Sequence, residues 1–328
     1  MRKLLLGTTA LAAAVTLSTN AALADVSIAG SYEFKYASRS SNTTALDGTT
    51  MSHGDTDMVI TFSNKTDSGL DLSYRYDIGA VASDGATLTG DEQSLSIGGG
   101  FGKIILGTDD DASDSYGIDE MDLISEEPTS THTSASIGFN SGIASTDAMK
   151  VSYHLPAMGG LTTGISFADS GAAGGSDKTA YGLKYTMDAA GASITLGYAA
   201  STTENSTQDQ DAETMGMKIV SGDISMIISQ GGYEADDEDI ENAGASISYK
   251  MPNGMTIGAY TFKSEDDLDA GEEYTRSGAE VQYSIASGLT AVINVDDYDY
   301  KVTSGTHESA GATADSGTIT QLTLKASF

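Results

Sequence analysis

DTDMVITFSNKTDSGLDLSYRY, residues 55–76, alternates apolar and polar side chains on both sides of a short turn. The turn is NKTDSG, residues 64–69, which combines Asn, Asp and Gly. The apolar phase of the stretch holds Met58, Ile60, Phe62, Leu70, Leu72, Tyr74 and Tyr76. An alternation of period two on each side of such a turn is typical of two antiparallel strands joined as a hairpin. The stretch therefore predicts a sheet with one apolar and one polar face.

The same alternation recurs from Val26 to the C-terminal Phe328, and it predicts sixteen strands. Short turns alternate along the chain with longer polar connections. The longer connections are predicted near residues 38–53, 80–91, 108–147, 169–178, 200–212, 232–243, 263–273 and 300–316. Short turns at one end of the sheet and long loops at the other are typical of outer-membrane barrels. The pattern thus predicts an all-β fold, a 16-stranded antiparallel transmembrane β-barrel.

Basic side chains follow the polar phase of the predicted strands. They are Lys35, Arg75, Lys103, Lys150, Lys184, Lys218, Lys250 and Lys325. A Lys or Arg that faces lipid at mid-membrane costs about 2–4 kcal/mol, whereas the same residue in the lumen is tolerated. The polar face is therefore predicted to line the inside of the barrel, although any half-buried sheet also alternates in this way.

The N-terminal residues 1–24 read as a cleaved signal peptide. Arg2 and Lys3 precede an apolar stretch from Leu4 to Leu17, and Ala22-Leu23-Ala24 gives a small-x-small cleavage site. Residues 25–328 then form one barrel domain. No later stretch approaches the roughly 20 apolar residues of a membrane helix, so a spanning chain must close into a barrel. The absence of cysteine excludes a disulfide framework.

The charge balance is strongly acidic. Removal of Arg2 and Lys3 from the 16 basic residues leaves 14 against 47 acidic ones, a net charge of −33. A nucleic-acid binder must neutralise phosphates with Lys and Arg, so this balance predicts no nucleic-acid partner. Sixteen tyrosines and the regular alternation argue against disorder, which is the other common reading of such acidity.

The longest connection runs from Thr108 to Asp147 and opens with TDDDASDSYGIDEMDLISEEP. Its first twenty residues carry Asp109, Asp110, Asp111, Asp114, Asp119, Glu120, Asp122, Glu126 and Glu127. Connections of this length are either functional or disordered in compact domains. We expect this one to fold inside the wall that the strands form.

Three stretches resemble the trimeric general diffusion porins of Gram-negative outer membranes, and most closely the acidic porins of purple non-sulphur bacteria. Residues 55–76 resemble the second hairpin of that family. GGGFGKIILGTDDDA, residues 98–112, resembles the turn and strand that lead into its constriction loop. LTLKASF, which ends on Phe328, resembles the C-terminal signal that the barrel assembly machinery reads.

The resemblance implies that the third loop folds inward as a constriction and that its acids face basic side chains on the wall. The implied constriction residues are Asp109, Asp110, Asp111, Asp114, Asp119, Glu120, Asp122, Lys35, Arg39 and Arg75. It also implies a homotrimer in contact with outer-membrane lipid and lipopolysaccharide. Only three arginines follow residue 24, so the dense arginine row of some members is absent. The acidic excess then predicts a preference for cations.

Calcium is the one metal ion for which the sequence offers candidate ligands. Asp109, Asp111, Ser113 and Glu120 fall at positions 1, 3, 5 and 12 of an EF-hand frame, but Asp114 stands where the frame needs Gly. A looser structural Ca²⁺ site at Asp109, Asp111 and Glu120 remains open, because hard cations need only several oxygens within reach. The other reading is that these acids line a solvated pore. No other cofactor is expected.

The predicted function is a water-filled pore in the outer membrane that passes ions and small hydrophilic solutes by passive diffusion. Two alternatives share its architecture: a substrate-specific channel, and a plugged structural or adhesion barrel. The chain is not expected to be an enzyme. Its four histidines, His53, His132, His154 and His307, fall in no metal-ligand spacing and beside no recognisable nucleophile motif.

Overall fold

The computed structural model describes residues 24–42, 47–54, 56–79, 89–126, 148–169, 176–204, 209–235, 238–268, 272–301 and 314–328. Within these ranges the chain forms seventeen strands, all in one antiparallel sheet. They are β1 (Asp25–Ser41), β2 (Gly48–His53), β3 (Asp57–Lys65), β4 (Asp71–Gly79), β5 (Thr89–Gly99), β6 (Gly102–Thr108), β7 (Met149–His154), β8 (Leu161–Ala168), β9 (Asp177–Ala189), β10 (Ala192–Glu204), β11 (Gln210–Ser221), β12 (Ile224–Ala235), β13 (Glu238–Lys250), β14 (Met255–Asp266), β15 (Glu273–Ala286), β16 (Leu289–Lys301) and β17 (Asp315–Ser327).

The sheet closes on itself as a barrel with sixteen strand positions. The first strand, β1, pairs with the last, β17, over Ser31–Ser41. On its other side β1 pairs with β3 through Asp25–Gly30 and with β2 through Phe34–Arg39, so β2 and β3 together occupy one position in the wall. Closure leaves no unpaired edge to face lipid. The predicted count of sixteen and the antiparallel all-β class are both confirmed.

The two faces of the wall differ in chemistry. Val151, Ile165 and Phe167, on β7 and β8, project outward and are each about half exposed. Lys150 and Ser166 lie on the opposite face and are nearly fully buried. Apolar side chains with no covering layer are stable on the lipid side of a membrane barrel, and polar ones belong in its lumen. The polar face is therefore the lumen face, as the phase of the lysines predicted.

The connections alternate in length as expected. At one end of the barrel the strands meet in tight turns, such as Ala190–Gly191 between β9 and β10 and Gly222–Asp223 between β11 and β12. Gly191 and Gly222 have φ of 81° and 60°, a conformation that glycine adopts without a steric penalty. Most connections at the other end are longer, although only two residues separate β12 from β13 there, where a long loop near 232–243 was predicted.

The strands reach further into the predicted polar loops than expected. β1 continues to Ser41, β10 to Glu204 and β14 to Asp266, and β2 lies wholly inside the predicted 38–53 loop. Those limits were wrong because the apolar alternation stops before the strand does. Backbone pairing with neighbours, such as Ser41 with Gly317, extends a strand whatever its side chains.

The only helical turn among the described residues is a 3₁₀ turn at Glu120–Leu123, after β6. No helix in the described part of the chain is long and apolar enough to span a membrane. The predicted signal peptide, apart from Ala24, and residues 127–147 of the predicted constriction loop lie outside the described residues. The cleavage after residue 24 and the course of that second half stay predictions.

A new positive charge should destabilise the barrel much more on its outward face than on its lumen face. Ile247 on β13 projects outward, and the adjacent Ser248 lies on the lumen face. We expect Ile247→Lys to lower the free energy of unfolding in phospholipid vesicles by about 2–4 kcal/mol. Urea titration followed by circular dichroism and heat-modifiable gel mobility measures this. The matched control Ser248→Lys should cost far less, and equal losses would contradict the assignment of faces.

Candidate functional site

The residues from Asp109 to Glu126, here called the acidic segment, leave β6 and run across the lumen face of the wall. They contact β7, β8 and β9 first, then β10 to β13, and finally β14 to β17 and β1. The acidic segment is held against the wall at three places: an ionic anchor near each end and a central strip of small residues.

The first anchor is the carboxylate of Asp111. It lies 2.6 Å from Nζ of Lys150 on β7 and 2.8 Å from Nζ of Lys178 on β9. All three side chains are buried. The next residue, Ala112, donates its backbone N–H to Oγ of Ser166 on β8 at 2.9 Å. One carboxylate between two lysines thus ties the start of the acidic segment to three neighbouring strands.

The central strip is a row of small residues directly paired across four strands. Gly197 on β10 pairs with Gly216 on β11, which pairs with Ser229 on β12, and this pairs with Gly244 on β13. The strip gives the backbone of the segment room to approach. A methyl group on Gly216 would lie 2.2 Å from the carbonyl oxygen of Ile118, far inside van der Waals contact.

Glu120 lies over the same strip. Its carboxylate is buried and accepts a hydrogen bond from Oγ of Ser229 at 2.6 Å. The preceding Asp119 caps the 3₁₀ turn, since its side chain accepts the N–H of Met121 at 2.9 Å. Burial raises the pKa of Glu120, and the hydrogen bond from Ser229 opposes that rise only in part.

The second anchor is Glu126. Its carboxylate lies 2.5 Å from Nζ of Lys325 on β17 and 3.0 Å from Nζ of Lys35 on β1. Asn294 on β16 donates to the Glu126 carbonyl at 2.8 Å. Glu280 on β15 accepts the backbone N–H groups of Ser125 and Glu126. Because β1 and β17 are the strands that close the barrel, the end of the acidic segment also bridges the closing seam.

The predicted constriction acids divide into two groups. Asp111 and Glu120 are buried against the wall, whereas Asp110, Asp114 and Asp122 are exposed. Asp114 and Asp122 are exposed but lie close enough to the wall to lose part of their hydration, and this partial burial raises the pKa of both. Neighbouring aspartates raise the pKa of both further. The half-buried Asp119 has its pKa raised by burial, against backbone hydrogen bonds that lower it. The half-buried Asp109 lies at the start of the segment.

Of the three predicted basic partners, Lys35 is the one whose ion pair with the described acidic segment is seen, at Glu126. Arg39 instead binds Asp315 on β17 at 2.6 Å and donates to the hydroxyl of Tyr298 at 3.0 Å. Arg75 on β4 forms two ion pairs with acids of the wall, Asp77 at 2.6 Å and Glu92 at 2.7 Å. Both arginines lie on the lumen face, and each is compensated by wall carboxylates.

A sequence profile of Gram-negative porins matches residues 7–321. The chain belongs to the Gram-negative porin family. It is accordingly a porin of the Gram-negative outer membrane.

Solved structures give the same fold. A loop-deletion mutant of OmpT, an outer membrane protein of Vibrio cholerae, has a TM-score of 0.68 at 14% identity, over 93% of this chain and 99% of that one. A mutant of the porin of Rh. blastica has a TM-score of 0.63 at 16% identity, over 92% and 100%. A porin refined at 1.8 Å has a TM-score of 0.62 at 17% identity, over 92% and 100%. No curated protein sequence matches the chain significantly.

Two of the three predicted calcium ligands, Asp111 and Glu120, have other partners in the structure. Asp111 is enclosed by two lysines, and Glu120 is bound to Ser229. In the described ranges, one group of three carboxylates has oxygens within 4.8 Å of one another, and it consists of Glu92, Asp109 and Asp110. Only Asp109 belongs to both sets. Calcium binding by the predicted residues stays a prediction.

The sequence prediction missed the wall partners of the acidic segment. Lys150 and Lys325 were assigned to the lumen face but not to the segment, and Lys178 fell in a predicted loop. Glu280 and Ser229 carried no signal at all, because a single polar residue in a lumen phase is ordinary. The C-terminal Phe328 exchanges backbone hydrogen bonds with Gly30, and its side chain is exposed. Its role as an assembly signal stays a prediction.

The small-residue strip makes the position of the segment testable. We expect Gly216→Val to displace the acidic segment from the wall, because the new side chain needs the space of Ile118. Proteolysis of the membrane-inserted protein should then cleave within Asp109–Glu126, and the wild type should resist.

The control is Gly98→Val on the lumen face of β5, where an added methyl group meets nothing closer than 3.6 Å. Unchanged protease resistance in Gly216→Val would contradict the docking of the segment on this strip.

Proposed function

We propose that this porin forms a water-filled, cation-preferring pore for passive diffusion of ions and small hydrophilic solutes, with the acidic segment as its constriction. One observation carries the proposal: the acids that hold the segment to the wall are compensated, whereas the exposed acids, Asp110, Asp114 and Asp122, are not held in ion pairs among the described residues. The compensated acids contribute little net field, so the exposed ones determine which ions accumulate.

The path for solutes runs along the part of the wall that the segment leaves uncovered. No described residue of the acidic segment lines a cavity of about 750 Å³ at the short-turn end. This cavity is lined by β1 and β3 to β6, through side chains such as Asp25, Ser63, Ser73 and Ser96. These four form one paired row of lumen-face positions. Small polar side chains of this kind offer hydrogen bonds without closing the passage.

The basic residues do not reverse this field. Lys150 and Lys178 are occupied by Asp111, Lys35 and Lys325 by Glu126, and the three lumen arginines, Arg39, Arg75 and Arg276, by wall acids. Lys184 and Lys218 form no ion pair among the described residues, but the carboxylates of Asp119 and Asp122 lie close enough to offset their charge. The net charge of the whole chain is −31. An excess of free carboxylates in a narrow aqueous passage raises the local concentration of cations.

The proposal extends to the partners of the barrel. A homotrimer fits the family, and OmpT of Vibrio cholerae is described in a trimer form with a TM-score of 0.67. Lipid and lipopolysaccharide would contact the outward apolar face, and the barrel assembly machinery would read the C-terminal strand. A structural Ca²⁺ remains part of the proposal. No catalytic activity is proposed.

Conductance in planar bilayers tests the function. We expect large current steps that do not saturate with salt, and a reversal potential that shows cation preference. In the triple variant Asp110→Asn, Asp114→Asn, Asp122→Asn, the cation-to-anion permeability ratio should fall several-fold, because each charge at a few ångströms is worth on the order of 1 kcal/mol in water. Small saturating currents would favour a substrate-specific channel, and silence of the folded protein would favour a plugged barrel.

The control removes the same charge from the outer face. It combines Asp211→Asn, Glu234→Gln and Asp297→Asn. The three residues are in the outward phase of β11, β12 and β16. Their combined variant should keep the wild-type permeability ratio. If both triple variants lower the ratio equally, the acidic segment does not determine selectivity.

The acids of the segment also predict the pH dependence. Because burial raises the pKa of Asp114, Asp119 and Asp122 above the ordinary 3.8, they lose charge at a higher pH than solvated aspartates do. Cation preference should therefore begin to fall, on acidification, before ordinary aspartates titrate. Because the pKa of these aspartates is higher in the docked segment than in the unfolded chain, their protonation stabilises the docked state. This stabilisation is present at low pH and is lost as the pH rises through the folded-state pKa. Reversal potentials between pH 7 and 4 measure the first effect.

A further inference from the structure

Two lysines of the lumen wall lie beside the acidic segment without being used to hold it. Lys184 is on β9 and Lys218 is on β11. Lys184 pairs directly with Gly197 of the small-residue strip, and Lys218 lies two residues from Gly216, towards the short-turn end. Both side chains are half-buried. The two lysines therefore border the edge of the segment that faces the short-turn end.

Neither lysine forms an ion pair within the described ranges, although carboxylates are near. Lys184 lowers the pKa of Asp119 and Asp122, and Lys218 lowers that of Asp122, against the larger effect of burial. Charges that interact at this range without contact leave space between them. By comparison, Lys150 and Lys178 lie within 2.8 Å of Asp111. The two pairs of lysines therefore differ: the ammonium groups of Lys150 and Lys178 are held by a buried carboxylate, whereas the half-buried Lys184 and Lys218 form no ion pair among the described residues.

Two hydroxyl groups form the floor between these lysines. Thr186 on β9 and Thr195 on β10 lie on the lumen face, and their Oγ1 atoms are 3.0 Å apart. Thr195 pairs with Thr186 on one side and with Lys218 on the other. The Cα atoms of Lys184 and Lys218 are separated by two strand spacings and one step of two residues, or about 12 Å. Side chains of lysine length, reaching from both sides, span that distance.

We propose that Lys184 and Lys218, with Thr186, Thr195 and the carboxylates of Asp119 and Asp122, form a binding station for small zwitterions such as amino acids. The solute carboxylate lies between the two ammonium groups and the threonine hydroxyls, and its ammonium group lies against the aspartates. This inference rests on the proposed pore and adds a solute class to it.

A zwitterion fits this arrangement better than an ion of one sign. A simple anion would be attracted by the two lysines but repelled by the two nearby aspartates. A simple cation would be attracted by the aspartates but repelled by the lysines. A solute that carries both charges a few ångströms apart satisfies both sets at once. Exposed ion pairs are individually weak, so the station binds weakly and releases readily, as passage through a pore requires.

Liposome swelling with solutes of zero net charge tests the proposal. Alanine and lactamide have nearly the same size, and only alanine is a zwitterion at pH 7. We expect the wild-type protein, at low solute concentration, to admit alanine faster than lactamide. The variant Lys184→Gln, Lys218→Gln should lower the alanine-to-lactamide ratio by about two- to fivefold. Asp122→Asn, which removes a charge from the other half of the station, should lower it as well.

The control variant is Lys250→Gln with Lys263→Gln. Lys250 lies in the lumen phase at the turn end of β13, and Lys263 projects outward from β14. Both are exposed, and the pair removes the same charge as the test variant. The control should keep the wild-type ratio. An equal fall in both variants would overturn the station, as would a wild-type ratio of one.

The lactamide rate separates this inference from the proposed function. If lactamide does not enter at all, the pore itself is absent. If lactamide enters and alanine shows no advantage, the pore stands and the station is refuted. Lactate provides one further arm: an advantage for lactate that equals that of alanine, and that Lys184→Gln, Lys218→Gln removes, would show a simple anion site and overturn the zwitterion assignment.

Discussion

A carboxylate removed from water must be compensated by a cation or by several hydrogen-bond donors, and the arrangement inside this barrel depends on that requirement. Asp111 is compensated by Lys150 and Lys178, and Glu126 by Lys35 and Lys325. Removal of one partner from a fully buried pair such as Asp111 and Lys150 costs about 3–5 kcal/mol, so this contact defines one position for the start of the acidic segment. The strip of glycines between the two ionic anchors provides the space, and the anchors provide the specificity.

This requirement links the barrel to its candidate pore. The end of the segment bridges β1 and β17, so the docked segment also connects the strands that close the wall. The acids that are not needed for docking remain exposed, with raised pKa values for Asp114 and Asp122. One stretch of sequence thereby contributes both a structural connection and an exposed field. Neighbouring aspartates in it have different roles because only some of them are buried.

Much of the fold was predictable from the sequence, because alternation with period two reports directly on a wall with a lipid face and a water face. The sixteen strands, the closure, the lumen phase of the lysines and the family were predicted correctly. The strand ends were not, since backbone pairing extends β1 and β14 into polar sequence. The roles of the acids were also beyond the sequence: DDD at 109–111 gives no sign that Asp111 is buried and Asp110 exposed. That difference is determined by Lys150 and Lys178, which lie about 40 and 70 residues away in a chain whose strand register is needed to bring them together.

An engineered disulfide can show whether the acidic segment docks on the lumen face, because the chain contains no cysteine of its own. A Cβ atom on Gly117 would lie 3.7 Å from Cβ of Ala199 on β10, within the range that a disulfide requires. In the membrane-inserted variant Gly117→Cys, Ala199→Cys, we expect a disulfide to form under mild oxidation, while Gly117→Cys paired with the outward Leu196→Cys stays reduced. If both double variants stay reduced while their thiols react with a small water-soluble reagent, the segment does not lie where this account places it.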